Sequence, residues 1–214
     1  MKGLLCKDFM LLKEQKLSLL LIFAIAVGMT TFSASPSFVI GYFSFIGGSF
    51  TLSTISYDEA DNGNAFLFSL PISRKEYTRE KYLLGLTLGG GCWLFSSVFA
   101  VLAGFLQGHD ISDIFFTAVF MFPSLLVLLS IMLPLHLKFG GEKGRIAIII
   151  VMGILFFTIL SVGKVLQAAQ IQLSFPSSLA ANGVVVLLAF LLAGLCVLLL
   201  SYQISAAIMK RKEF

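Results

Sequence analysis

The sequence predicts an all-α integral membrane protein with six transmembrane helices. The first observation is composition: 58% of the 214 residues are hydrophobic and 12% are charged, about half the charged share of a soluble domain. The second is the length of the apolar runs, each near the ~20 residues that an α-helix needs to cross a bilayer. Six such runs fill the chain, so we expect a single transmembrane domain over residues 1–214.

Before the first apolar run, residues 1–16 predict an interfacial helix. On a helix, the four leucines of this segment fall within one arc, which Asp8 interrupts. The lysines would then face anionic head groups while the helix lies on the membrane. A simple extension of the first span is the alternative.

Each of the six apolar runs predicts one transmembrane helix. Their bounds are residues 17–34, 38–56, 83–106, 114–135, 146–163 and 182–204. The first run is longer than the ~7–15-residue apolar core of a secretory signal, and two acids precede it, so we interpret it as a retained span. Gly85 and Gly89 in the third span have the GxxxG spacing that allows close helix packing. In the fourth span, Pro123 can kink the helix and Pro134 can end it.

The connections between spans differ in character. Residues 35–37 predict a tight turn, and residues 136–145 predict a short basic loop. His109 and His136 lie in separate connections at opposite membrane faces, so we expect both to be solvated. Residues 164–181 interleave glutamines with apolar residues, which indicates a short amphipathic helix on the membrane face.

Basic residues set the orientation. With six spans, both termini lie on one side, together with residues 57–82 and 136–145. All of the 15 Lys and Arg residues except Lys164 fall on that side. The positive-inside rule therefore makes this side cytoplasmic and the protein a multi-pass protein with both termini inside.

Several function classes are disfavoured. The predicted spans carry no Asp, Glu, Lys, Arg or His in their interiors, unlike proton-coupled carriers and many membrane proteases. The chain has no GxxxxGK[ST] motif, and its three cysteines show no metal or disulfide spacing. No run supplies a basic face for nucleic acid. We therefore expect no catalytic site, no cofactor or metal bound by this chain, and no nucleic-acid partner.

The longest polar segment, residues 57–82, is the main candidate for function. Ser73 and the glutamate three residues later have capping-box spacing, which predicts a helix running into the third span. Pro71 ends whatever precedes it. Between Asp58 and Leu70 we predict a short helix with acids at its front, as the helix dipole favours, and apolar residues at its end. Such a helix either lies against the inner ends of the spans or inserts into a groove on a soluble partner.

At these residues the sequence resembles the permease subunits of ABC transporters of the type-2 exporter class. The shared pattern is an acidic pair, a glycine, an apolar stretch, Leu-Pro-Ile-Ser-Arg and a later lysine. Its residues are Asp58, Glu59, Gly63, Phe66 to Leu70, Pro71, Ile72, Ser73, Arg74 and Lys81. The opening MKGLLCKDFMLLK also resembles the small bacterial members. The resemblance implies an N-terminal elbow helix, a cytoplasmic coupling helix between spans two and three, and a short external helix between spans five and six.

The resemblance also implies partners. The coupling helix would dock on a separate ATPase subunit that holds ATP and Mg, and two permease and two ATPase copies would form the transporter in the bacterial plasma (inner) membrane, surrounded by lipid. The expected docking residues are Asp58, Glu59, Asp61, Gly63, Phe66, Leu67, Phe68, Leu70, Pro71, Ser73 and Arg74. The cluster of Phe66, Phe68 and Leu70 would carry the contact, with Arg74 and the acids at its rim.

The cargo is less constrained than the partners. The uncharged spans favour an amphipathic cargo such as an antimicrobial peptide, a drug or a lipid-like molecule. Two alternatives stay open: a stand-alone membrane immunity or assembly protein with no ATPase partner, and a secondary transporter. An ATPase encoded in the adjacent reading frame would distinguish the permease from both.

Overall fold

The structure, a computed structural model, confirms the all-α class. It describes residues 2–14, 16–32, 36–60, 63–168 and 183–212. These ranges contain the helices α1 Lys2–Glu14, α2 Lys16–Phe32, α3 Pro36–Glu59, α4 Gly63–Ser69, α5 Arg74–Gln107, α6 Ile111–Phe139, α7 Gly141–Ala168 and α8 Gly183–Arg211, with no strand within them. Asp61 and most of the predicted external helix at residues 164–181 lie outside the described residues.

Four helices of the described part are long and apolar enough to cross a membrane. They are α3, α5, α6 and α8, which contain the predicted second, third, fourth and sixth spans. The predicted first span coincides closely with α2, and the predicted fifth span lies within α7. Neither helix is among the four, so the count of six spans stays a prediction.

The core is formed by α3, α5 and α6, with α8 and α7 packed against α6. Small residues let these helices approach closely. A Cβ added at Gly85 would lie 3.2 Å from the side chain of Leu129, and one at Gly89 would lie 3.1 Å from Leu125 and 3.6 Å from the backbone nitrogen of Gly48. The two glycines of the GxxxG spacing therefore lie against α6, and Gly89 also approaches the backbone of α3.

The predicted basic loop at residues 136–145 is wrong. Helix α6 continues to Phe139 and α7 begins at Gly141, so Gly140, with a φ of 82°, is the one residue between them. Pro134 lies inside α6 and does not end it. A helix that stops inside apolar surroundings leaves backbone groups without partners, which favours continuation through a proline.

The acids at positions 58 and 59 also lie elsewhere than predicted. Helix α3 continues through Asp58 and Glu59, so they stand at a helix C-terminus instead of the front of the next helix. Helix α4 begins at Gly63 and ends at Ser69, before Pro71. A Cβ at Gly63 would lie 2.7 Å from the carbonyl oxygen of Asp58, so the turn between α3 and α4 depends on glycine there.

The capping box at the start of α5 is confirmed. The Ser73 hydroxyl oxygen accepts from the backbone N–H of Glu76 at 3.2 Å, and the Glu76 carboxylate accepts from the backbone N–H of Ser73 at 3.0 Å. Helix α5 then runs without interruption from Arg74 through the predicted third span. Four residues thus separate the end of α4 from the start of α5, which is long and apolar enough to span a membrane.

Candidate functional site

Buried charges gather where α1, α3 and α5 meet, next to α4. We call this group the ionic cluster; its members are Lys7, Asp8, Asp58, Glu80 and Lys81. The side chains of Asp8, Glu80 and Lys81 are fully buried. Lys7 is the member that reaches the surface, with 34% of its side chain exposed. We call this region the charged end of the molecule.

Lys81 is the centre of the ionic cluster. Its ammonium nitrogen lies 2.5 Å from Asp8 Oδ2 and 2.8 Å from Asp58 Oδ2. It also donates to Thr54 Oγ1 at 3.2 Å. Lys81 therefore donates hydrogen bonds to Asp8 and Thr54 and forms an ion pair with Asp58. Because its partners belong to α1 and α3, Lys81 ties both helices to α5.

Asp8 and Asp58 each face more than one donor. The Tyr77 hydroxyl donates to Asp58 Oδ2 at 3.1 Å, and the Lys7 ammonium donates to the other oxygen of the same carboxylate. Burial by itself would raise the pKa of Asp8, but the positive charges of Lys81 and Lys7 hold that pKa below its ordinary value. Asp8 is therefore a carboxylate that anchors α1, which explains why an acid interrupts its leucine arc.

The ionic cluster is not predicted as a unit from the sequence. Asp58 was expected at a docking rim, and Lys81 was expected only as part of the family pattern. The signal that was available is the position of Asp8, an acid one helical turn after Leu4 on the face that α1 buries. A buried acid requires a cation, but nothing local in the sequence identifies which lysine supplies it.

A second set of polar contacts, the C-terminal clamp, joins the charged end to α8. It consists of Arg74, Glu59 and Lys212. Arg74 Nη1 donates to the carbonyl oxygens of Met209 at 3.1 Å and Lys210 at 2.9 Å. A cation is stabilised at these last carbonyl groups because they carry the negative end of the helix dipole. Arg74 therefore lies against the C-terminal end of α8.

Glu59 forms the other half of the C-terminal clamp. Its Oε1 lies 2.7 Å from Lys212 Nζ, and its Oε2 accepts from the backbone N–H of Gly141 at 2.5 Å. Lys212 also donates to the carbonyl oxygen of Leu137 at 3.1 Å. Glu59 thus connects the end of α3 with α7 and with the chain just after α8, and it is not a free surface acid.

The burial of His136 also differs from the prediction. This residue is fully buried instead of solvated, and its Nε2 lies 3.0 Å from the Ser56 hydroxyl. A Cβ at Gly144 would lie 2.9 Å from His136 Nδ1, so α7 passes close to the ring. The continuation of α6 through this position places the histidine inside the helix bundle.

The apolar residues of α4 point in two directions. Phe66 is 72% exposed and Leu70, just after the helix, is 45% exposed, whereas Leu67 is 8% exposed. The Phe68 ring packs inward, with its centroid 5.6 Å from that of Tyr77. Only part of the predicted apolar cluster is therefore available to another molecule.

An apolar groove runs between α1 and α4 at the charged end. It has a volume of about 470 Å³. Its lining includes Gly3, Leu4, Tyr57, Phe66, Leu70 and Ile72. Together with the exposed Phe66 ring, the groove can accept and cover apolar side chains of a second protein.

Comparison with known proteins identifies the family. The model of the family described as "ABC-2 family transporter protein" matches residues 3–210, which include the ionic cluster, α4 and the membrane-spanning helices. No curated protein and no solved structure matches the chain. The resemblance to ABC transporter permeases is confirmed by the family match. The chain belongs to the ABC-2 transporter family and is a permease of the ABC-2 type.

Proposed function

We propose that this permease is the membrane subunit of an ATP-driven exporter and that α4 couples it to a separate ATPase subunit. Membership of the ABC-2 family supports an ATPase partner in general terms. The observation that carries the proposal is Phe66, an aromatic side chain 72% exposed on a short helix outside the four candidate spans. Covering such a ring removes a large apolar area from water, which favours association.

The ionic cluster lies next to α4 and joins helices that a displacement of α4 would move. Helix α4 is joined to α3 through the turn at Gly63 and to α5 through the capping box at Ser73. Lys81 holds α1 and α3 on α5, and Arg74 holds the end of α8. A displacement of α4 by a partner would therefore act on several helices together. Closure of the ATPase subunits on ATP would supply that displacement.

The docking surface in this proposal is smaller than the residue set expected from sequence. Phe66 and Leu70 make the contact, and Leu67 and Phe68 support α4 from beneath. Asp58, Glu59 and Arg74 act behind the surface, in the ionic cluster and the C-terminal clamp. This division separates residues that bind the partner from residues that transmit its movement.

Two copies of this permease, or this chain and a paralogue, form the translocation path with two ATPase subunits that bind ATP and Mg. The assembly lies in a bacterial plasma membrane with the charged end and both termini in the cytoplasm, as the distribution of basic residues favours. The apolar spans support an amphipathic peptide, drug or lipid-like molecule as cargo.

The test replaces Phe66 by alanine and measures retention of the ATPase encoded in the adjacent reading frame, after co-expression with the tagged full-length chain. We expect Phe66→Ala to lose most of the co-purified ATPase. Phe105→Ala is the matched control, because Phe105 is also 72% exposed but lies at the other end of α5.

Two outcomes would contradict the proposal. Retention of the ATPase by Phe66→Ala at the yield of the control would remove the docking role of α4. Absence of any P-loop ATPase from the neighbouring reading frames and from purified complexes would favour the stand-alone immunity or assembly protein. Phe68 is left intact in this test because its ring packs inside the protein.

A further inference from the structure

Glu80 is the member of the ionic cluster whose carboxyl group receives no hydrogen bond. Its side chain is fully buried, and neither carboxyl oxygen accepts a hydrogen bond from any described residue. The nearest ammonium group is that of Lys81, 3.6 Å from Glu80 Oε2. Lys81 donates instead to Asp8 and Thr54 and forms an ion pair with Asp58 at 2.8 Å, and it gives Glu80 no hydrogen bond. A buried carboxylate with no donor is strongly disfavoured.

The balance of charges in the ionic cluster also disfavours an ionised Glu80. The groups that face Glu80 and its neighbours are Lys7 and Asp8 from α1, Asp58 from α3, and Tyr77 and Lys81 from α5. Two ammonium groups thus stand against three carboxyl groups. If every group were ionised, one negative charge would remain uncompensated inside the protein.

We propose that Asp8 and Glu80 bind one proton between them, carried by Glu80 and hydrogen-bonded to Asp8. The two carboxyl groups are neighbours, because both lie against the Lys81 ammonium nitrogen, at 2.5 Å for Asp8 Oδ2 and 3.6 Å for Glu80 Oε2. Asp8 Oδ1, the oxygen that Lys81 does not contact, accepts no hydrogen bond, although Lys7 Nζ lies 3.2 Å away. A protonated Glu80 supplies the missing donor and leaves the ionic cluster neutral.

The position of the proton on Glu80 follows from the surroundings of Asp8. Lys81 lies 2.5 Å from Asp8 but 3.6 Å from Glu80, so positive charge favours ionisation of Asp8 first. A divalent cation fits the same place less well, because the ammonium groups of Lys7 and Lys81 would repel it. The described residues also contain no group of three or more His, Cys, Asp or Glu that could hold a metal ion.

The shared proton attaches α1 to α5. Loss of the proton would leave one negative charge in the buried cluster and weaken the contact between these two helices. This inference does not depend on the proposed ATPase partner, since it concerns groups within one chain. Its test can therefore fail or succeed independently of the Phe66 experiment.

The first test is Glu80→Gln in the purified full-length chain, reconstituted in lipid nanodiscs. Glutamine has nearly the shape of a protonated glutamic acid and can donate to Asp8 in the same way. Unfolding is followed through Trp93, the single tryptophan. We expect Glu80→Gln to keep the wild-type unfolding temperature at neutral pH. As the pH rises, the wild type alone should lose stability as Glu80 releases its proton.

The second test is infrared spectroscopy at neutral pH. We expect a carboxylic-acid C=O band in the wild type that Glu80→Gln lacks. Glu76→Gln, which replaces an exposed glutamate one turn earlier in α5, should retain the band. A wild-type spectrum in which Glu80→Gln removes no such band would overturn the proposal. So would a Glu80→Gln protein that fails to fold or unfolds at a clearly lower temperature at neutral pH.

Discussion

Helices α3 and α5 are held together by different interactions at the charged end and in the membrane-embedded middle. At the charged end, the ammonium group of Lys81 lies between carboxylates of α1 and α3. In the middle, Gly48 and Gly89 bring the two backbones close, and Leu125 of α6 fills the adjoining space. The first contact depends on a complete set of charges, and the second depends on volume alone.

One pair of helices thus combines a contact that is insensitive to charge with a contact that depends on charge. Small residues in a membrane allow dispersion contacts that do not respond to charge or pH. A buried ion pair contributes little net stability compared with apolar packing, but removal of one partner is severe because the other charge is left without compensation. The charged end is therefore the part of this contact that responds to a change of charge.

The largest effect is expected from Lys81→Met. The change leaves the buried carboxylates of Asp8 and Asp58 without their shared cation, and loss of one partner of a buried ion pair costs about 3–5 kcal/mol. Trp93 fluorescence during unfolding in nanodiscs measures the loss. Lys75→Met, at an exposed position of the same helix, is the control and should be nearly neutral. Equal stability of the two variants would contradict the dependence of the charged end on a complete set of charges.

A smaller loss is expected from Gly89→Val in the middle of the same helix contact. A Cβ there would lie 3.1 Å from Leu125, and overpacking of this kind costs about 1–3 kcal/mol. Gly90→Val is the matched control, since a Cβ at Gly90 meets nothing within 4 Å. The loss at Gly89 should be the same at neutral and alkaline pH. A loss of stability that changes strongly with pH would show that packing volume alone does not govern the contact at Gly89.

The smallest effect is expected from Lys212→Ala in the C-terminal clamp. The side chains of Lys212 and Glu59 are 24% and 18% exposed, whereas those of Lys81 and Asp8 are fully buried. Water therefore screens the Lys212–Glu59 attraction more, and we expect a loss of about 1 kcal/mol. Added salt should reduce the difference between Lys212→Ala and the wild type. If Lys212→Ala lost as much stability as Lys81→Met, the C-terminal clamp would be as important for stability as the ionic cluster, contrary to this prediction.

Where the sequence predictions succeeded, the determining interactions are local. The capping box at Ser73 involves residues three positions apart, and the GxxxG spacing of Gly85 and Gly89 defines one face of one helix. The wrong predictions concern where helices end. Helix α3 continues through Asp58, whose carboxylate meets Lys81, and α6 continues through Pro134 to a buried His136. In each case contacts with other helices outweigh a local stop or start signal.

The sequence by itself therefore determined the all-helical membrane class, the apolar segments and the family pattern around α4, because hydropathy and capping act within a few residues. Tertiary structure alone decided what the charged residues do. Asp8 and Lys81 are 73 positions apart in the chain, and Glu59 and Lys212 are 153 apart. Each of these charges could pair with many others, and only the packing of α1, α3, α5 and α8 brings particular partners together in a buried place where the pairing matters.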